Sequence, residues 1–183
     1  RDGLAWFGLL FIYKLGDSFG TSMVKPMFVD QGLTLGEIGA LMGLGGSVAG
    51  LVGALIGGIL VGRWSRRRAL VIFAIGQMVT MVLYVWLAAV KPEFGYRMIH
   101  GLDADEVVRL WQPGWAAAVV VVEHLVSGMA TAALFTAMMD ACRPGHAGSD
   151  YTVQASVVVL AQGVAGIVSG FSAHHLGYPA HMA

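Results

Sequence analysis

The sequence predicts an all-α protein, a polytopic bundle of transmembrane helices. Charged residues make up only 12% of the chain, about half the roughly 25% usual in soluble domains. Hydrophobic residues are 57% of the total and mean hydropathy is +0.72. The apolar residues also gather in unbroken runs long enough for the ~20-residue helix that crosses a bilayer core.

Five spans are expected, at about Leu4–Val29, Leu35–Val61, Ala69–Val90, Trp115–Ala141 and Tyr151–His174. The surplus length of some of them allows tilt. The connection Arg63–Arg68, "RWSRRR", holds four arginines in six residues. With Arg1 and Arg143, six Lys/Arg residues fall on one side; Lys25, Lys91, Arg97 and Arg109 fall on the other. The positive-inside rule puts the arginine-rich side in the cytoplasm. Five spans then leave the C-terminus outside, so a sixth span is expected beyond this stretch, and the chain reads as part of a longer protein. The longest connection, Lys91–Gly114, contains "DADEVVRLW", which reads as a short helix with Asp103 and Glu106 as a capping box. Trp111 and Trp115 would mark the membrane interface.

The second span carries Gly36, Gly39, Gly43, Gly46, Gly50, Gly53 and Gly57 at alternating steps of three and four. Such spacing draws one seam along a helix. Lipid offers no hydrophobic drive for association, so small residues that admit close backbone approach are what hold such helices together. Another helix is therefore expected on this seam. "GLGGSVAG" is no nucleotide loop, because the third glycine of the fingerprint and the Gly-Lys-Ser/Thr sequence are both missing.

Polar residues inside the spans point to function, because an ionisable group in hydrocarbon is costly. At about 100° per residue, Lys14, Ser18, Thr21 and Lys25 share a stripe about 60° wide, with Asp17 at its edge. That stripe should line a wet cavity. Lys14 and Asp17 are three residues apart and can pair, and Lys25, before Pro26, can reach the interface. In the fourth span, Glu123 and His124 are candidates for carrying protons. They point about 100° apart, so both need not reach one cavity. Ser127 and Thr131 continue the His124 face, and Asp140 lies near the inner end. In the fifth span, Asp150 can sit at the positive end of the helix, with Gln154 on nearly the same face as a cavity-lining candidate. His174 and His175 read as exposed interface residues.

Other chemistry is weakly supported. No Cys/His spacing suggests a metal, a single cysteine, Cys142, forms no internal disulfide, and no cofactor is implied. A zero net charge gives no sign of nucleic-acid binding. Glu123, His124 and Asp140 lack a nucleophile motif, so an enzyme is disfavoured. A non-transporting membrane scaffold or receptor is the lesser alternative.

"GGILVGRWSRRRAL" resembles the inter-helix signature of the major facilitator superfamily. Gly58, Leu60, Arg63, Arg66 and Arg67 match its frame, while Gly62 replaces the acidic residue and Ser65 the second glycine. "YKLGDSF" and "RALVIFAIGQ" resemble AmpG-like muropeptide permeases. "VVEHLVSGMATAALFTAMMD" and "GSDYTVQASVVVLAQG" look closer to the related RhtX/FptX siderophore branch, which the long Lys91–Gly114 loop also favours. The resemblance implies half of a twelve-helix fold, helices seven to eleven, whose partner half precedes it in the same chain. It implies a proton-driven importer of the bacterial inner membrane working by alternating access. The cargo would be a siderophore, with a muropeptide as the alternative. Lys14, Asp17, Ser18, Thr21 and Gln154 would face the cargo. Asp17, Glu123 and His124 would couple protons.

Overall fold

A computed structural model describes residues 2–90 and 113–182. Among these there are helices and no strands. They are α1 (Asp2–Thr21), α2 (Val24–Asp30), α3 (Leu35–Ile38), a π-helical stretch (Gly39–Gly45), α4 (Gly46–Arg63), α5 (Arg66–Val90), α6 (Pro113–Asp140), α7 (Ala147–Leu176) and α8 (Tyr178–Met182). The helix expected around Asp103 and Glu106, and the side chains of Arg1, Trp111 and Trp115, lie outside the described residues.

Four helical stretches are long and apolar enough to cross a membrane: Leu35–Arg63, Arg66–Ala88, Ala116–Asp140 and Ala147–Leu176. No more than 33% of any of their most apolar windows is buried within the bundle. Ile12, Leu51, Leu55, Ile75, Val82, Ile167 and Phe171 all point outward. In water that surface would drive aggregation; in hydrocarbon it is the ordinary exterior.

The first expected span is broken. α1 stops at Thr21 and α2 starts at Val24. The cause is Pro26, which has no N–H to offer the Ser22 carbonyl and whose ring crowds that carbonyl. Thr21 Oγ donates to the Asp17 carbonyl at 2.9 Å and Ser22 Oγ to that of Ser18, a local bonding pattern that bends helices. Beyond a left-handed turn at Gly32, Thr34 opens α3 with a complete capping box. Its hydroxyl accepts from the Glu37 N–H at 3.2 Å, and Glu37 Oε2 accepts from the Thr34 N–H at 2.8 Å. Thr34→Ala is expected to lower stability by about 1 kcal/mol. Thermal melting in detergent checks this, and an unchanged midpoint would deny the cap any importance.

α4 packs along α6, α1 along α7, and α5 against α6. The α4–α6 contact uses the glycine seam. A Cβ placed on Gly53 would lie 2.0 Å from the Leu125 carbonyl oxygen, one on Gly57 2.6 Å from Met129 Cα, and one on Gly128 2.1 Å from the Gly50 carbonyl oxygen. The upper part of the seam is not packed: Gly39 and Gly43 face open space among the described residues, and Gly36 meets only Thr34. The π-helical stretch explains this, because its i→i+5 bonding takes more residues per turn. A spacing written for an α-helix loses its face there.

The apolar core falls into separate clusters. One joins Val24, Met27 and Phe28 of α2 to Tyr84 and Leu87 of α5 and Val119 and Val120 of α6. Another joins Leu10 of α1 to Leu134 and Met138 of α6 and Val158 of α7. Between them lies a polar region.

Candidate functional site

The polar region is a cavity of about 220 Å³. α1 contributes Lys14, Asp17, Ser18 and Thr21 to it, α5 contributes Tyr84, α6 contributes Glu123, His124 and Ser127, and α7 contributes Gln162. The stripe read on the first span therefore does face an internal space. Lys14 Nζ donates to Asp17 Oδ2 at 2.5 Å, and only 14% and 8% of these side chains are exposed. The i,i+3 spacing on one helix makes this pairing possible without help from tertiary structure. Lys25 does not border this cavity and is exposed on α2 beyond the break.

Glu123 and His124 meet in the same cavity, although successive residues diverge on a helix. The Glu123 side chain is buried, and its Oε2 lies 2.7 Å from His124 Nδ1. The same Nδ1 lies 2.9 Å from the Val120 carbonyl oxygen. Both neighbours are acceptors, so Nδ1 carries the proton. The imidazole fits because its neighbour on α4 is a glycine: a Cβ on Gly46 would be 2.5 Å from His124 Cδ2.

A second cavity, of about 330 Å³, lies between α1 and α5. Asp17 and Glu123 border both cavities; Gln77 and Thr80 border only the second. Gln77 Nε2 donates to Asp17 Oδ1 at 2.5 Å. The only sequence signal for this contact was an amide alone in an apolar run, "AIGQMV".

Other expected site residues fall elsewhere. Gln154 borders neither cavity. It is buried near the other end of the bundle, where its Oε1 accepts from Trp6 Nε1 at 2.7 Å and its Nε2 donates to the Met138 carbonyl at 3.1 Å. Its angular position shared a face with Asp150 but could not say which neighbour that face meets. Asp150 binds Arg143, with Oδ1 2.8 Å from one guanidinium nitrogen and Oδ2 2.9 Å from the backbone N–H. The carboxylate's bond to the guanidinium, with its charge, pushes the Arg143 pKa further up. His174 and His175 are exposed.

In the arginine motif, Gly58 meets open space and Arg63 and Arg67 are exposed. Arg66 is held: its Nε donates to Asp140 Oδ2 at 2.5 Å and one terminal nitrogen to the Val61 carbonyl at 2.8 Å. The carboxylate that meets this arginine run comes from α6.

At the far end of α7, His181 is buried, with Nε2 3.0 Å from Ser169 Oγ and 3.2 Å from the Phe19 carbonyl oxygen. Burial holds its pKa below the usual histidine range.

Helices of this length and apolarity, with paired charges turned inward, define an all-α polytopic membrane protein. No protein-family model matches the chain. It is similar to the anhydromuropeptide permease of Escherichia coli (strain K12), 31% identical over 170 residues that cover 91% of this chain and 31% of the permease. A Haemophilus influenzae protein described as uncharacterized is 30% identical over 169 residues, 92% of this chain and 37% of its own length. The chain thus spans about a third of the length of these curated relatives. With permease relatives and four helices of membrane-spanning length, it is a multi-pass protein of the bacterial inner membrane. The permease name sides with the muropeptide alternative; the siderophore branch gains no support from it.

Proposed function

We propose that the chain is the C-terminal transmembrane half of a major-facilitator-type secondary transporter, helices seven to eleven of twelve, which imports an anhydromuropeptide by alternating access with protons. The observation that carries this reading is the convergence of Lys14–Asp17 and Glu123–His124 on one cavity inside an apolar bundle. Buried ionisable groups at membrane depth mark substrate and ion pathways, and transporter sites lie where helices from different repeats meet near the midplane. The permease relative supplies the cargo class.

In this reading Lys14 binds a carboxylate of the peptide moiety. Asp17 holds the ammonium in place, and Ser18 and Thr21 offer hydroxyls to the sugar and amides. Glu123 and His124 exchange the coupled proton, Glu123 as the group that loads and His124 as its relay. The N-terminal half of the same chain provides the facing wall, and the Arg63–Arg68 loop faces the cytoplasm.

The test is uptake by the full-length protein in energised vesicles, with labelled anhydromuropeptide and labelled ferric siderophore in parallel. Muropeptide should accumulate and a protonophore should abolish the accumulation. Accumulation of the siderophore instead would overturn the cargo assignment, and gradient-independent accumulation would overturn the coupling. Glu123→Gln is expected to lose uphill uptake while keeping cargo exchange between preloaded vesicles and medium. Retained uphill uptake would remove Glu123 from the proton path.

A further inference from the structure

Asp17 is gripped from both sides. Lys14 Nζ donates to Oδ2 at 2.5 Å and Gln77 Nε2 to Oδ1 at 2.5 Å. Of these two cavities, Lys14 borders the one of about 220 Å³ and Gln77 the one of about 330 Å³. Gln77 therefore does not reach the space where cargo would meet Lys14; whatever it does there passes through Asp17. Besides this bond, α1 meets α5 where the Met81 sulfur packs against Gly20. An amide in an apolar helix needs a partner, but a backbone carbonyl one turn away would have served. Here the partner is the carboxylate of the candidate site, 60 residues away.

The geometry points to Gln77 as a positioning residue for Lys14. The carboxylate, fixed by the amide of α5, can neither rotate nor turn both oxygens to the ammonium. It takes one of the three Lys14 donors and leaves the other two aimed into the cavity. Without Gln77, Asp17 competes with the cargo carboxylate for Lys14 through both oxygens. This rests on the proposed cargo role of Lys14.

The experiment uses the full-length protein in proteoliposomes, with labelled anhydromuropeptide as cargo. Gln77→Leu is expected to raise KM about tenfold, the loss of one hydrogen bond to a charged group, with kcat within about twofold. Its melting midpoint should fall by a few degrees for the lost bond, which KM, being independent of protein amount, does not register. Gln77→Glu should regain affinity as pH falls, because only the protonated acid can donate to Asp17. In a Lys14→Ala background, where uptake is lost and cargo affinity is read instead by equilibrium binding of the labelled cargo, Gln77→Leu should weaken binding no further. A wild-type KM for Gln77→Leu, or an equal effect of it in the Lys14→Ala background, overturns the assignment. A readout without cargo separates the two readings: the rate at which a small amine-reactive reagent modifies Lys14, followed by mass spectrometry. Gln77→Leu should change that rate even if the wild type moves no muropeptide, in which case only the transport reading falls. An unchanged rate overturns the role of Gln77.

Discussion

Lys14→Ala and Asp17→Asn are each expected to abolish cargo accumulation in energised vesicles, with the protein still in the membrane. The expectation rests on the burial of both side chains and on their position at the cavity wall. A buried pair often contributes less to stability than apolar residues of the same volume, whereas removing one partner leaves a lone charge at a cost of about 3–5 kcal/mol. Either single change can therefore lower abundance. The double variant Lys14→Met, Asp17→Leu keeps the packing without stranding a charge. It is expected to be as abundant as the wild type and inactive. Uptake is measured per folded molecule, counted by fluorescence size-exclusion. Wild-type uptake by both single variants would sink the site, and uptake by the double variant would make the pair purely structural.

Gly53→Val is the substitution expected to do the most damage to the fold. Valine's Cβ would sit 2.0 Å from a backbone oxygen of α6, at Leu125, and a backbone cannot swing aside as a side-chain tip can. Overpacking in a yielding core costs about 1–3 kcal/mol; with backbone on both sides the cost lies at or beyond the top of that range. Even Gly53→Ala should destabilise, although alanine gains about 1 kcal/mol in helix propensity over glycine. Gly58, on the same helix, meets nothing within 4 Å, so Gly58→Ala should be neutral or stabilising. Melting midpoints in detergent decide between them. A wild-type midpoint for Gly53→Ala would mean that the two helices are not in this contact.

Four of the five expected apolar stretches, and the polar stripe, were legible because each follows from one helix alone. Hydropathy marks length, and about 100° per residue puts Lys14, Ser18 and Thr21 on a common side. The Lys14–Asp17 pair was legible for the same reason. Partnerships between helices were not. Gln77 gave no sign of Asp17, and Gln154 was assigned to the cavity on a face that instead meets Trp6 and α6. Glu123 and His124 diverge on the wheel yet touch, because the long Glu123 side chain folds back toward its neighbour. The glycine spacing foretold a close contact but not its extent, since a π-helical stretch changes the turn on which the spacing was counted. The break before Pro26 was written in the sequence, but apolarity hid it.

The break at residues 22–23 divides the first span's loyalties. Below it, Lys14 and Asp17 are tied to α5 through Gln77. At its edge, the Phe19 carbonyl accepts from Ser169 Oγ of α7 at 2.7 Å. Above it, Asp30 accepts a hydrogen bond from the Tyr178 hydroxyl of α8. Two levers joined at a pivot can answer to different partners. A continuous helix would carry any twist at its outer tip straight down to Lys14. This one separates the segment bonded to α8 from the charged pair bonded to α5.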